Sequence, residues 1–272
     1  MSGGDYRGRR VVVTGCASGI GEALVHVLAE RGAAVVGLDR RATAAPVAEF
    51  LEVDLGDSAS IADAAGAIGE PVDALFNVAG ISGTVGATTI IGVNFVGTRE
   101  LTEALLPRIP RDGAVVNTAS IAASRYLERR ELVAGLLATE TREEAWRWCE
   151  AHADEIGTGY AVSKDAIVWY TLRRAVELAP RGVRMNCVAP GTTATPIIED
   201  TRRARGDDFL KAIPMPLGRL AEPREQAEVL AFLNSPAASY VSGQVLWVDG
   251  GYLGGVAAGL LEHATGSVGP RT

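Results

Sequence analysis

The chain has 272 residues, 47% hydrophobic and 22% charged, with 32 glycines and few aromatics, a balance that suits a compact globule and excludes a disordered chain. Its net charge of −7 argues against a binder of nucleic-acid backbones, and it holds no run of 18 apolar residues for a membrane crossing. Three cysteines (Cys16, Cys149, Cys187) and three scattered histidines lack metal-ligand spacing; with no charged-then-apolar leader, a reduced cytoplasmic setting and no metal are expected.

The first 40 residues carry a strong local signal. Arg10–Thr14 is a β-branched run that reads as a buried parallel strand, and it ends in Gly15-Cys-Ala-Ser-Gly-Ile-Gly21. A helical pattern follows through Leu24, Val27 and Leu28. Strand, glycine-rich turn and helix together form the setting for a dinucleotide pyrophosphate, held by backbone N–H groups at the positive end of the helix. The turn residues Gly15, Ser18, Gly19, Ile20 and Gly21 are therefore candidate cofactor contacts. A second strand, Ala33 to Leu38, ends in Asp39, 18 residues beyond Gly21. A carboxylate there accepts from both adenosine ribose hydroxyls and repels a 2′-phosphate, which favours NAD. Arg40 and Arg41 are the counter-evidence, because arginines hold that phosphate, so NADP is the second choice.

Further along, strands are expected at Phe50–Val53, Ala74–Val78, Ala114–Thr118, Val183–Val188 and Val245–Val248. Helices are expected at Gly92–Leu106, Tyr160–Leu178 and Pro223–Leu233. Such alternation predicts an α/β fold, a doubly wound parallel sheet with helices on both faces. Ligands of such sheets sit beyond the carboxyl ends of the strands, so the ends at Asp39, Asp54, Asn77, Ser120 and Pro190 should converge on one crevice. Tyr160 and Lys164 stand four residues apart and so share a helix face. A cation beside a phenol lowers its pKa toward the range of a general acid/base. Only two lysines, Lys164 and Lys211, occur among 26 basic residues, which makes the pairing more pointed.

These motifs resemble a short-chain dehydrogenase/reductase over nearly the whole chain: Thr14 to Gly21, Asp54, Asn77-Val-Ala-Gly80, Asn94, Ser120, Tyr160-x-x-x-Lys164, and Pro190-Gly191 with Thr192 and Thr195. The resemblance implies a single Rossmann-type domain over residues 1–272 and a catalytic set of Asn94, Ser120, Tyr160 and Lys164. In that family the tyrosine exchanges a proton with the substrate oxygen while hydride passes to or from nicotinamide C4, and the serine positions the oxygen. The lysine lowers the tyrosine pKa and binds the nicotinamide ribose, and the asparagine holds a relay water. The same resemblance places cofactor against Asp39 with Arg40, Asp54 with Leu55, Asn77 with Ala79 and Gly80, Tyr160 with Lys164, and Pro190 with Gly191, Thr192 and Thr195.

One departure stands out. In most relatives the serine and tyrosine lie much closer together; here 39 residues separate Ser120 from Tyr160. The extra stretch, 125–157, is expected to form a small helical insertion. One helix would have Leu132, Val133, Leu136 and Leu137 as its apolar side, and a second would open on the capping box Thr141–Glu144, with Ala145, Trp148, Cys149 and His152 on one face. His152 reads as a packing residue, while Trp146 and Trp148 either line a substrate entrance or anchor the insertion. This feature, with Gly15-Cys-Ala-Ser-Gly-Ile-Gly21 and Pro236-Ala-Ala-Ser-Tyr-Val241, resembles the bacterial 3α-hydroxysteroid dehydrogenase/carbonyl reductases and the coniferyl-alcohol dehydrogenases. An NAD(H)-dependent oxidoreductase for a small hydrophobic alcohol or carbonyl is thus expected, on a steroid or a coniferyl-type aromatic alcohol. A non-catalytic NAD-binding sensor is the alternative, disfavoured because the whole catalytic set is present. Residues 192–218 are expected to form a substrate lid. A homodimer through Pro223–Leu233 and Val245–Val248 is expected rather than a tetramer, since the insertion would cover the helices around Asn94 and Tyr160.

Overall fold

The computed structural model describes residues 6–83, 85–206 and 212–263. Seven strands form one parallel sheet: β1 (Arg10–Thr14), β2 (Ala34–Asp39), β3 (Glu49–Glu52), β4 (Ala74–Asn77), β5 (Ala114–Thr118), β6 (Arg184–Pro190) and β7 (Val245–Val248). Their order across the sheet is β3-β2-β1-β4-β5-β6-β7, so the direction of winding reverses between β1 and β4. Side chains alternate between two cores. Val12, Leu75 and Val115 feed one, while Val11, Val13, Phe76 and Val116 feed the other. Burial on both faces is why these strands read as unbroken apolar runs.

Helix α1 (Gly19–Glu30) and the helix Pro223–Leu233 pack together over one face. Over the other lie α2 (Ser58–Ala67), α3 (Ala87–Ile91), α4 (Thr98–Leu105) and the long α8 (Tyr160–Leu178). The insertion contributes α5 (Arg130–Leu137), α6 (Arg142–Ala151) and α7 (Ala153–Ile156). Later come α9 (Pro196–Arg205), α10 (Pro223–Leu233) and α11 (Tyr252–Ala257). None of the described helices is long and apolar enough to cross a membrane.

The expected spans for β1, β5, β7, α8 and α10 coincide with those observed. Others differ for physical reasons. The stretch read as one helix over Gly92–Leu106 begins earlier, at Ala87, and Gly92–Gly97 is wound as a π-helix. There Gly97 lies against the Leu55 carbonyl, in space a Cβ would overlap. Helix α2 was invisible to periodicity because its ten residues are mostly Ser, Ala and Gly; it is capped by Asp57, which accepts from Ala59 N at 2.9 Å.

In the insertion, Thr141 and Glu144 form the expected capping box. Val133, Leu136, Ala145 and Cys149 are buried in the core that also holds Phe95 and Val162, so the insertion packs upon the α3–α4 and α8 side of the molecule. Helices α5 and α6 approach closely at Gly135, where a Cβ would stand 2.6 Å from the Trp148 indole nitrogen. His152 stacks on Trp148 with ring centroids 4.5 Å apart, a packing role. Trp148 therefore anchors the insertion, and Trp146 lies beside Gly92.

Candidate active site

The glycine turn is shaped by three different steric demands. Gly15 has φ +74°, and a Cβ on it would stand 2.9 Å from Ala79 Cα. At Gly21 a side chain would overlap the Gly15 carbonyl, so α1 begins directly under the turn. Gly19, φ +59°, faces Thr195 and Pro196, with Thr195 Cγ2 3.3 Å from where its Cβ would be. Thr195 is thereby brought from the far end of β6 onto the turn. Ser18 is the N-cap of α1 with no capping bond of its own; Ile20 packs into the core below. The N-terminus of a twelve-residue helix thus follows a turn in which Gly15, Gly19 and Gly21 carry no Cβ, which fits a pyrophosphate.

Asp39, at the end of β2, accepts from Ala17 N (3.1 Å) through one oxygen and from Arg41 N (3.0 Å) through the other. Each carboxylate oxygen keeps a second lone pair for a ribose hydroxyl. Arg40 leans to Asp54, 3.8 Å away, whereas Arg41 reaches the turn and donates to Ser18 Oγ at 3.1 Å. Asp54 accepts from Gly56 N at 2.7 Å and Leu55 is buried behind it. Asn77 behaves differently from its neighbours. Its amide nitrogen is bound to Thr102 Oγ1 and Asn117 Oδ1, both at 2.8 Å, so the side chain ties β4 to β5 and α4, while its Oδ1 is buried without a hydrogen bond.

A residue with no expected role organises this junction: Thr14 Oγ1 accepts from both Val78 N and Ala79 N at 3.0 Å, locking the Asn77–Gly80 segment to the end of β1. Gly191, after Pro190, packs against Asp249, where a Cβ would come 2.7 Å from that Cα. Thr192 lines an adjoining cavity and its carbonyl accepts from Ala221 N.

Tyr160 opens α8 directly after Gly159, whose φ of +78° and closeness to the Ala87 carbonyl exclude a side chain. Ser120, just beyond the end of β5, accepts from Ala122 N at 3.2 Å, and its hydroxyl is near enough to the Tyr160 side chain to act on the phenol. Lys164 Nζ donates to the Thr118 carbonyl at 2.9 Å and stands 5.8 Å from the Tyr160 ring centroid. Asn94 donates to Ile81 O (2.9 Å) and Ser163 Oγ (3.2 Å) and accepts from Ile81 N (2.7 Å). Gly80 separates Asn94 from Lys164: its Cβ would be 3.3 Å from both Asn94 Oδ1 and Lys164 Nζ. The four residues thus meet across the ends of β4 and β5.

The electrostatics correct one expectation. Burial raises the Tyr160 phenol, with Ser120 pulling it partly back. Lys164 donates its ammonium to Thr118 O and is itself buried, which brings the lysine down to about 8. Cys187 faces Lys164, and burial pushes its thiol up to about 12, so it is neutral there. All three cysteines are unpaired and buried.

Beside Ser120 opens a cavity of about 110 Å³, lined by Ile121, Thr192, Pro214, Met215, Leu217 and Tyr252, among others. A wider cleft of about 920 Å³ adjoins it between Tyr126 and α11. Trp146 and Trp148 line neither. Of the expected lid, α9 and residues 212–218 belong to the described structure, while 207–211 lie outside the described residues.

Two residues of the insertion bond to segments that border the site, and nothing in their spacing marked them. Arg129 pairs with the buried Asp165, next to Lys164, and donates to Ala122 O at 3.2 Å. Arg142 bonds the loop after β3.

Comparison with known proteins agrees with this picture. The profile described as short chain dehydrogenase matches residues 9–131, and that described as enoyl-(acyl carrier protein) reductase matches 151–253. Residues 132–150, which carry most of α5 and of α6, lie between the two matches. The 3-alpha-hydroxysteroid dehydrogenase/carbonyl reductase of Comamonas testosteroni is 38% identical over 251 residues, 89% of this chain and 95% of that protein. Coniferyl-alcohol dehydrogenase of Pseudomonas sp. (strain HR199) is 32% identical over 244 residues, covering 89% and 96%. Among solved structures, the 3-alpha-hydroxysteroid dehydrogenase from Pseudomonas sp. B-0831 complexed with NADH superposes with a TM-score of 0.79 at 33% identity, covering 93% of this chain and all of that one.

Proposed function

The chain belongs to the short-chain dehydrogenase/reductase family of oxidoreductases acting on CH–OH groups, and from that premise we propose that it is an NAD(H)-dependent enzyme interconverting a hydroxyl and a carbonyl on a hydrophobic substrate, a 3α-hydroxysteroid or its ketosteroid first. The observation that carries the reading is the meeting of Tyr160, Ser120, Lys164 and Asn94 beside a glycine turn cut to fit a pyrophosphate.

The nicotinamide cofactor supplies the hydride. Tyr160 Oη gives its proton to the substrate oxygen in reduction and takes it back in oxidation, while Ser120 Oγ holds the same oxygen. Lys164, with a pKa brought down to about 8, sits where it can refill the phenol and hold the nicotinamide ribose. Asn94, across Gly80 from Lys164, fits the relay toward solvent. Asp39, Arg40, Asp54, Leu55, Asn77 (by its backbone), Ala79 and Gly80 take the adenosine side and the ribose. Pro190, Gly191, Thr192 and Thr195 take the nicotinamide side. Residues 192–206 and 212–218 belong to the lid, and Pro214, Met215 and Tyr252 give the adjoining cavity an apolar side for a hydrophobic substrate. A coniferyl-type aromatic alcohol is the second substrate class, supported by the 32% identical relative of that name.

NAD is favoured by the free lone pairs of Asp39, and Arg41 over Ser18 is the feature that would admit NADP. The test is oxidation of NADH and NADPH with a panel of ketosteroids, quinones and aromatic aldehydes. Turnover of a ketosteroid with a kcat/KM for NADH at least about tenfold above that for NADPH is expected. Binding of NADH without turnover of any carbonyl would favour the sensor, and a preference for NADPH would sink the assignment of Asp39.

We assign a homodimer to α10 and β7. The strand is an open sheet edge, and Phe232 (43%), Leu246 (41%) and Tyr240 stand exposed around it. Light scattering after size exclusion should give a dimer that Leu246→Asp converts to monomer. A stable tetramer unaffected by that change would overturn the assignment.

A further inference from the structure

Arg142 belongs to the inserted helix α6, yet its guanidinium is spent outside the insertion. Nη2 donates to Leu55 O (3.0 Å) and Glu100 Oε2 (2.6 Å), Nη1 to Gly56 O (3.1 Å) and Gly92 O (3.4 Å), and Nε to Ser58 Oγ (2.9 Å). The side chain is only 10% exposed. Leu55 and Gly56 form the turn from β3 into α2, at the carboxyl edge of the sheet. From within, that turn is shaped by Asp54, which accepts from Gly56 N at 2.7 Å and donates its own N–H to Ser60 Oγ at 2.9 Å. From without, Arg142 gathers its carbonyls onto one charged plane. Gly92, its fourth acceptor residue, is the first residue of the π-helical stretch that carries Asn94.

We propose that Arg142 is a positioning residue for the cofactor: by holding the Leu55 and Gly56 carbonyls it keeps the β3–α2 turn in the shape that receives the adenine end of the dinucleotide. The inference rests on the functional reading above, in which Asp54 and Leu55 border that end. Its physical basis is pre-organisation. A loop already fixed in its bound shape loses less conformational freedom on binding, and the gain appears in affinity rather than in the chemical step. Arginine is needed because five acceptors lie around one plane, and a lysine ammonium has three donors on a point charge. The insertion therefore does more than cover the α3–α4 face: it extends the cofactor site from a part of the chain that neither family profile spans.

The test is NADH titration by fluorescence together with steady-state kinetics on the full chain, wild type against Arg142→Met and Arg142→Lys. Arg142→Met should raise the NADH Kd and KM about tenfold, and Arg142→Lys at least about threefold, with kcat at saturating NADH and KM for the carbonyl substrate within about twofold. Should Arg142→Met not fold, the lysine variant carries the same comparison. A purely structural role would lower kcat with the folded fraction and leave the Kd of the folded molecules unchanged. That result, or a Kd within about twofold of wild type in both variants, overturns the inference. A wild type that binds no NADH overturns the functional reading and this inference with it; a wild type that binds while both variants match it overturns this inference alone.

Discussion

Tyr160→Phe should lower kcat/KM by about 10³-fold, a loss of ~4 kcal/mol of transition-state stabilisation, in both directions of the reaction. The change removes one oxygen from a half-buried ring and leaves Gly159, the helix start and the Ser120 backbone in place. NADH affinity should therefore stay within about twofold, which separates loss of proton transfer from loss of the fold. The pH profile gives a second readout. Burial raises the phenol and brings Lys164 down to about 8, so the pair sheds its first proton near that value as pH rises. Alcohol oxidation needs a centre able to accept a proton and should climb through this region, whereas carbonyl reduction should fall. The residual activity of the variant should show no such limb. Wild-type and variant profiles of the same shape, or a rate loss below about tenfold, would remove Tyr160 from the proton-transfer role.

That expectation was open to a reader of the sequence because a helix makes residues four apart neighbours, and because the turn from Thr14 to Gly21 is sterically constrained at its three glycines. Gly15 answers a contact to Ala79, Gly19 one to Thr195 and Gly21 one to the Gly15 carbonyl, three different steric demands on one turn. Other parts were hidden for equally physical reasons. The Asn77 side chain looks polar and available in one dimension, but Thr102 and Asn117 claim it from α4 and β5, which no local pattern reveals. The direction of the Tyr160 shift was misread because spacing reports a neighbouring charge and says nothing of burial, which here acts on phenol and ammonium alike. Likewise, a capping box and an apolar stripe foretell α6, yet the reach of Arg142 back to Leu55 joins residues 87 apart.

Arg129→Met should destabilise the fold by ~3–5 kcal/mol at pH 8, the cost of leaving a buried carboxylate without its partner. Asp165 is fully buried on α8, one of its oxygens has no hydrogen bond, and Arg129 supplies the ion pair to the other. Burial raises the Asp165 carboxyl to about 6 even though Arg129 pulls it down. The sign follows from that displacement. A folded-state pKa above the unfolded one means that the folded chain holds this proton more tightly, so the contribution of Asp165 to stability is most favourable below about pH 4 and declines as pH rises through about 6. Removing Arg129 takes away both influences that lower the carboxyl, its hydrogen bond and its charge, and moves the folded pKa higher still. The penalty should accordingly be small, below ~2 kcal/mol, at pH 5, where Asp165 is largely protonated in both proteins and what is lost is the hydrogen bond to a neutral carboxyl and that to Ala122 O. It should then grow to its full size by pH 8. Urea unfolding at the two pH values measures it, and Arg129→Met/Asp165→Asn should recover most of the loss at pH 8 by removing the stranded charge. A penalty independent of pH, or a double variant no more stable than the single one, would show that the arginine acts only through packing. The position of the pair gives the result a functional edge: Asp165 follows Lys164 on α8 and Ala122 closes the turn after Ser120, so the same ion pair that costs stability when broken also ties the start of α8 to the turn that carries the serine.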